Sequence, residues 1–286
     1  MTSGYLVVLS AEDPVARAVG ERWGTPEATG AHVDGSPIRQ LTPAAWLLRR
    51  PGHHITDELL DRRLPTFVRD TRPTIIFPSL HRSERNIECL TVHPLGNPGP
   101  TAEVGGRPRT LVPTDPLRMT SVLRALHERA DPAGWPVTFE ATHHGPELTL
   151  PAFFAEIGFG TALEPPTEAV RVLADALVSF TVEPGDRAAV GIGGGHYAPH
   201  FTDLALRRRW AFGHLISKHA LVGFEHRTAE EAFAQTPGAE GFLFARAEDA
   251  RLPALDGIAP RRRDGEAPTR EREGRTTGAS RSASGT

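Results

Sequence analysis

The sequence predicts an α/β fold, a single-domain mixed sheet flanked by helices. Apolar runs of strand length alternate with stretches of helical periodicity, strand-like runs end repeatedly in His, Gly or Pro, and no segment repeats. Tyr5-Leu6-Val7-Val8-Leu9-Ser10 opens the pattern as a short buried strand. Asp13 and Pro14 follow as an N-cap and a first-turn proline. Val15, Ala18, Val19 and Trp23 give the helix its apolar stripe, and Gly24 supplies the stop.

Further strands are predicted over 45–48, 74–77 and 87–93. Met119, Val122, Leu123 and Leu126 repeat at helical spacing inside 116–130. A strand over 137–142 runs straight into His143-His144-Gly145-Pro146. After Pro165-Pro166, the positions Ala169, Val170, Leu173, Ala176, Leu177 and Phe180 mark an amphipathic helix. The apolar run 188–192 reads as a strand ending in Gly193-Gly194-Gly195, a helix is expected over 202–221, and 241–245 makes a last strand. The folded domain is assigned to 1–255. Residues 256–286, rich in Arg, Glu, Gly, Ser and Thr, read as a disordered tail that buries too little apolar surface to offset its ordering entropy.

Composition excludes several classes. No run approaches the length of apolar residues that a membrane span needs, and the N-terminus lacks a signal-peptide layout, so a soluble cytoplasmic protein is expected. The single cysteine, Cys89, excludes an intrachain disulfide framework and an all-cysteine metal site, and its place in an apolar run makes it a core residue. The net charge is −3, and residues 251–286 carry eight Arg against five acids, so the acidic excess lies in residues 1–250. Any contact with nucleic acid therefore rests on a local basic patch. Arg82 with Arg85, and Arg207-Arg208-Arg209, are candidates, although an Arg run on a helix usually faces solvent. The only lysine, Lys218, stands out against this arginine-rich background, since a compact ammonium differs from a guanidinium at a close site.

The chemistry concentrates in histidines. Four segments place them where a strand-like run ends: Leu80-His81-Arg82-Ser83-Glu84, Leu90-Thr91-Val92-His93-Pro94, Glu140-Ala141-Thr142-His143-His144-Gly145-Pro146 and Gly193-Gly194-Gly195-His196-Tyr197-Ala198-Pro199. Sites in open α/β sheets form at the carboxyl ends of strands, so these four ends are expected to converge on one cleft. Neutral imidazole is both a zinc ligand and the usual general base near neutral pH. Glu140 and Glu156 add carboxylates that ligate a metal or orient water. No HExxH or paired-cysteine motif fixes a zinc site. The glycines 193–195 allow close backbone approach and an anion cradle, though they fit a plain strand-to-helix turn too. Tyr197 offers a ring for stacking on a base or an aromatic substrate.

The same four segments resemble the D-aminoacyl-tRNA deacylases of the archaeal and plant type. Gly96-Asn97, Glu156-Ile157-Gly158, Gly213-His214 and Lys218 fit that pattern in the same order, from about residue 5 to about residue 250. Two positions depart: Phe159 stands where the family tends to place a small polar residue, and the third glycine of 193–195 falls where the family varies. The resemblance implies ester hydrolysis of D-aminoacyl-tRNA at its acceptor end, with D-tyrosyl-tRNA as representative substrate. It further implies zinc, a monomer without an obligate protein partner, and a core similar to the phosphorylases and peptidyl-tRNA hydrolases. On this reading zinc is held by some of His81, His93, His143, His196 and Glu156. His81, His143, His144, His196 and Glu140 carry the chemistry, while Arg82, Gly193, Gly194, Gly195, Tyr197 and Lys218 bind substrate. Two alternatives stay open: a related hydrolase or phosphorylase acting on peptidyl-tRNA or a nucleoside, and a non-catalytic RNA-binding protein.

Overall fold

Both faces of the first strand are covered, which is why its sequence is an unbroken apolar run. The computed structural model describes residues 4–82, 86–130 and 134–262. β1 (Tyr5–Ser10) is buried throughout. Tyr5, Val7 and Leu9 enter one apolar cluster, and Leu6 and Val8 enter another on the opposite face. α1 (Pro14–Trp23) starts where Asp13 Oδ1 accepts the Ala16 N–H at 2.8 Å and stops at Gly24, with φ +64. β2 (Glu27–Val33), β3 (Ser36–Thr42) and β4 (Ala45–Arg50) follow, then short 3-10 turns at His54–Thr56 and Leu60–Arg63 and the single-turn α2 (Thr66–Arg69).

β5 (Thr74–Leu80), β6 (Cys89–Pro94), the two-residue β7 (Gly96–Asn97) and β8 (Thr110–Leu111), α3 (Pro116–Ala130), β9 (Val137–Phe139) and β10 (Ala152–Gly158) complete the main sheet and its cover. Its order is β2-β3-β4-β1-β5-β10-β6-β9. β4, β1, β5 and β10 run parallel, while β6 pairs antiparallel with β10 and parallel with β9. The sheet therefore reverses direction between β10 and β6. α4 (Thr167–Ser179) packs with α1 and α3 on one face. Leu60, Leu64 and Val68, from the 3-10 turns and α2, cover the other.

β11 (Arg187–Ile192), α5 (Pro199–Arg207), β12 (Trp210–Ile216), α6 (His226–Ala234) and β13 (Ala239–Phe244) follow. The three strands form a second, all-parallel sheet in the order β12-β11-β13. The mixed sheet flanked by helices is thus present, with a smaller parallel sheet beside it. The helix expected over 202–221 is instead α5 followed by β12. Trp210-Ala211-Phe212 continues the apolar content, but Arg209 sits at φ +57 and ends the helical path, and the seven residues of β12 are all buried. A short apolar run of this kind reads equally as buried helix or buried strand.

Residues 256–262, assigned to the tail from composition, continue the fold. Ile258 and Ala259 pack against the cluster around β11 and β13. The Phe242 N–H donates to Pro260 O at 2.9 Å, and the Arg262 N–H to Phe242 O at 2.8 Å. Averaged over the whole segment, the composition conceals these few apolar positions. The rest of the expected tail, 263–286, lies outside the described residues, as do Ser83, Glu84 and Arg85. Among the described residues no helix is long and apolar enough to cross a membrane.

Candidate active site

The period of two along β10 sets the site. Phe153, Ala155 and Ile157 enter the helix-covered cluster, whereas Ala152 and Phe154 face the other way, and Glu156 shares their side. On β6, Leu90 and Val92 join the helix-covered cluster, which leaves His93 on the face of Glu156. Phe154 pairs with His93 in register and their rings stack at 5.1 Å. His81 follows the last residue of β5. Glu140 follows β9 and is held by its N–H to Val92 O at 3.0 Å. The expected strand ends do converge. They meet on the sheet face where β10 and β6 reverse direction.

The segment 139–144 joins the two sheets. Ala198 N–H donates to Phe139 O, Ala141 N–H to His196 O and Thr142 N–H to Leu215 O, at 2.9, 2.8 and 2.7 Å. This brings His196 and Tyr197, on the loop after β11, against Glu140. His196 Nε2 lies 2.9 Å from Glu140 Oε2, and His81 Nδ1 lies 3.0 Å from Glu140 Oε1 and 3.4 Å from Glu156 Oε2. His81 Nε2 meets the Tyr197 hydroxyl at 2.8 Å. The His143 ring stands 4.0 Å from that of His93 and 4.4 Å from that of His144.

Tautomers follow from the backbone. His143 Nδ1 lies 2.8 Å from Ala141 O, His144 Nδ1 2.6 Å from Gly145 O and His93 Nδ1 3.2 Å from Pro94 O. A carbonyl only accepts, so each Nδ1 carries its proton and each Nε2 is left for other chemistry. Burial, reinforced by the neighbouring imidazoles, holds His143 well below the ordinary histidine range and His144 at about 4, so both rings are neutral. Burial alone would lower His81 as well, but Glu140 and Glu156 outweigh it and push the imidazole up to about 12. The same carboxylates profit in return: despite burial, His196 and His81 hold Glu140 well below the carboxylate range, and His81 and His93 lower Glu156.

Several of these atoms are buried without being satisfied. Both oxygens of fully buried Glu140, and His93 Nε2, lack an aligned hydrogen bond although imidazole or carboxylate atoms stand close. Buried polar groups are ordinarily paired, so this points to a ligand. His93, His143 and His144 each bring a donor atom within 4.8 Å of the others, as do Glu140, His143 and His196. Nitrogen and carboxylate donors so spaced fit a divalent metal such as zinc. His81, Glu140 and Glu156 form a third such group, all three buried, with His81 Nδ1 facing both carboxylates and its Nε2 on the Tyr197 hydroxyl.

The imidazoles border a cavity of about 450 Å³ whose wall includes Arg82, His143, His144, Glu156 and His196. Sequence reasoning missed a further group on this wall. Asp13 Oδ2 accepts from Ser79 Oγ at 3.1 Å and from Leu80 N–H at 2.9 Å, and Ser79 Oγ meets His54 Nε2 at 2.9 Å. Asp13, His53 and His54 also hold donor atoms within 4.8 Å of one another. The adjacent pair His53-His54 was the available signal.

The predicted substrate groups are distributed unevenly. Tyr197 faces His81 rather than open solvent. Gly193, at φ +93, spends its N–H on Ile216 O, while Gly194, at φ +81, accepts the Lys218 N–H at 2.9 Å. Gly195 follows, next to His196. Lys218 is exposed at the end of β12, beside the glycine turn and outside the cavity wall. Arg207 and Arg209 pair with Asp203 and Asp186. Phe159, the departure noted above, is buried in the main core, and Cys89 is buried as expected.

Residues 69–252 match the family model for D-aminoacyl-tRNA deacylase. The chain belongs to this family. The match contains His81, His93, Glu140, His143, His144, Glu156 and His196. This deacylase-family chain is 38% identical over 172 residues to the D-aminoacyl-tRNA deacylase of Thermoplasma acidophilum, covering 60% of this chain and 67% of that protein. With the Methanosarcina mazei protein of the same name it shares 37% identity over 68% of this chain and 65% of the relative. For Thermococcus kodakarensis the values are 36%, 69% and 75%. The aligned stretch thus spans about two thirds of the Thermoplasma and Methanosarcina relatives. Among solved structures, the conserved protein of unknown function AF0625 superposes with a TM-score of 0.79 at 26% identity, over 92% of this chain and 96% of that one.

Proposed function

We propose that this chain hydrolyses the ester bond of D-aminoacyl-tRNA, releasing free D-amino acid and tRNA as a quality-control step of translation. The observation that carries the proposal is the pair of buried carboxylates, Glu140 and Glu156, ringed by imidazoles on the wall of the cavity, in a chain of the deacylase family. Ester hydrolysis needs water to be activated, the developing oxyanion to be stabilised, and the alcohol to be protonated as it leaves. Neutral His143 and His144 each present an Nε2 lone pair free of its backbone tether, which accepts a hydrogen bond from the attacking water or, with metal bound, ligates it instead. The His81 imidazolium, with two carboxylates at its Nδ1, donates through Nε2 to the Tyr197 hydroxyl and so holds that side chain of the His196 loop against the site. Arg82, exposed on the cavity wall, suits a terminal phosphate.

Zinc belongs to the same reading. His93, His143 and His144, or Glu140 with His143 and His196, or His81 with Glu140 and Glu156, are the residues that would hold it. Bound there, it would supply Lewis-acid polarisation and acidify water. The reading carries what the family resemblance implies: a monomer acting on the acceptor end in the cytoplasm without an obligate protein partner. Release of amino acid from D-tyrosyl-tRNA and L-tyrosyl-tRNA, with and without added zinc, tests it. Release from the D-ester alone supports the assignment. Turnover of N-blocked peptidyl ester in its place would move the chain to another hydrolase activity.

A further inference from the structure

The cavity wall is mostly polar, and one apolar side chain on it has no role in the core. Val104 is 48% exposed and belongs to none of the buried clusters, yet it lines the cavity together with His143, His144 and Ile55. Its position is fixed by its backbone. The Val104 carbonyl accepts the Gly145 N–H at 3.0 Å, one residue beyond His144. Gly105 and Gly106 follow at φ +67 and +71, and each stands where no side chain fits. A Cβ on Gly105 would lie 2.5 Å from Ile55 O, and one on Gly145 would lie 2.3 Å from Gly106 N. Asn97 Nδ2 donates to Gly105 O at 3.0 Å, and Glu58 Oε1 accepts the Gly106 N–H at 2.7 Å. The loop is thereby clamped to the segment that carries His143 and His144 and to the segment that carries His53 and His54.

A side chain clamped beside the imidazoles meets the part of the substrate nearest the reacting carbonyl. In an aminoacyl ester that part is the amino-acid side chain, which branches from the carbon next to the carbonyl, whereas the base is separated from it by the ribose. We infer that Val104 is a specificity-determining residue that bounds the subsite for the side chain of the D-amino acid. The inference rests on the ester hydrolysis proposed above. Val104 would set the size of that side chain, because even one methylene more or less in an apolar pocket is worth about 10- to 200-fold in discrimination.

The experiment compares kcat/KM of wild type, Val104→Phe and Val104→Ala on D-alanyl-, D-tyrosyl- and D-tryptophanyl-tRNA, with a thermal melt of each variant. Val104→Phe is expected to slow the aromatic esters at least about tenfold more than the alanyl ester. Val104→Ala is expected to shift the ratio the other way, so that a misfolded Phe variant does not decide the matter. Equal changes on all three esters, or none, would overturn the role of Val104 while leaving the hydrolase assignment standing. A wild type that releases none of the D-amino acids overturns both.

Discussion

His81 Nδ1 lies 3.0 Å from Glu140 Oε1, and both side chains are almost wholly withdrawn from water. With Glu156 Oε2 3.4 Å from the same nitrogen, the ring is an imidazolium whose pKa is pushed up to about 12 from 6.5. A group raised in this way contributes its stability fully below pH 6.5 and loses it progressively as pH climbs toward 12. At neutral pH the contribution is largely in place. Glu140→Gln keeps the shape and removes one of the two charges. The variant should lose about 3 kcal/mol of unfolding free energy at pH 7, as breaking a buried pair does. Its His81 resonance should titrate at lower pH by nuclear magnetic resonance. An unchanged urea midpoint together with an unchanged titration would mean that Glu156 alone holds the ring.

The unsatisfied atoms make a different prediction. His93 Nε2 and the Glu140 oxygens lack aligned partners, and a proton and a metal ion compete for the same imidazole lone pair. Zinc affinity should therefore fall at least about tenfold in His93→Ala and in His143→Ala. The exposed His32 serves as control. Metal analysis after dialysis against graded chelator reads this directly. Zinc retained equally by all three variants would place the metal elsewhere, with the Asp13, His53 and His54 group as the next candidate.

Much of this site was legible because its residues end apolar runs. His81, His143, His144 and His196 follow apolar runs of strand length, and their segments, with the blocks at His93, Gly96, Glu156, Gly213 and Lys218 in order, carried the family resemblance. What stayed hidden depends on contacts between distant segments. Glu156 itself was named, but its strand β10 was not, because the carboxylate interrupts the apolar run Ala152-Phe153-Phe154-Ala155. Asp13 reads locally as a helix cap, and it is one, but its second oxygen holds Ser79 and the Leu80 N–H. The direction reversal between β10 and β6 is likewise a property of pairing rather than of local pattern, so the convergence of strand ends was legible but the sheet face that carries Glu156 and His93 was not.

The glycine turn after β11 yields a steric test. Gly193 has φ +93, and a Cβ there would lie 2.0 Å from Asp249 Oδ2. Gly193→Ala thus meets both backbone strain and a clash, and should destabilise the protein by at least about 2 kcal/mol. Asp249→Ala alone should cost little, since Asp249 Oδ2 has no hydrogen-bond partner to lose. Combining the two should restore the steric part and leave the strain. Purely additive losses in the double variant, measured by denaturant midpoint, would show that the clash is relieved by movement of the loop.

His214 gives the pH dependence its clearest sign. It is fully buried, its Nδ1 lies 3.1 Å from Thr142 Oγ1, and burial lowers its pKa from 6.5 to about 3. The unfolded chain binds this proton below pH 6.5, whereas the folded chain binds it only near 3. The unfolded state therefore gains protons first as pH falls, and stability is complete above 6.5 and declines toward 3. One such group changes stability by about 1.4 kcal/mol per pH unit inside that window. Between pH 7 and pH 5 the wild type should lose about 2 kcal/mol more than His214→Asn, whose amide can still meet Thr142 but does not titrate. His54, also lowered to about 3 by burial, adds a parallel loss that both proteins share, so it cancels in the comparison. Urea midpoints of the two proteins across that range settle the point: converging curves as pH falls support a neutral buried His214, and parallel curves would show that its ring is already charged, or already exposed, in the folded state.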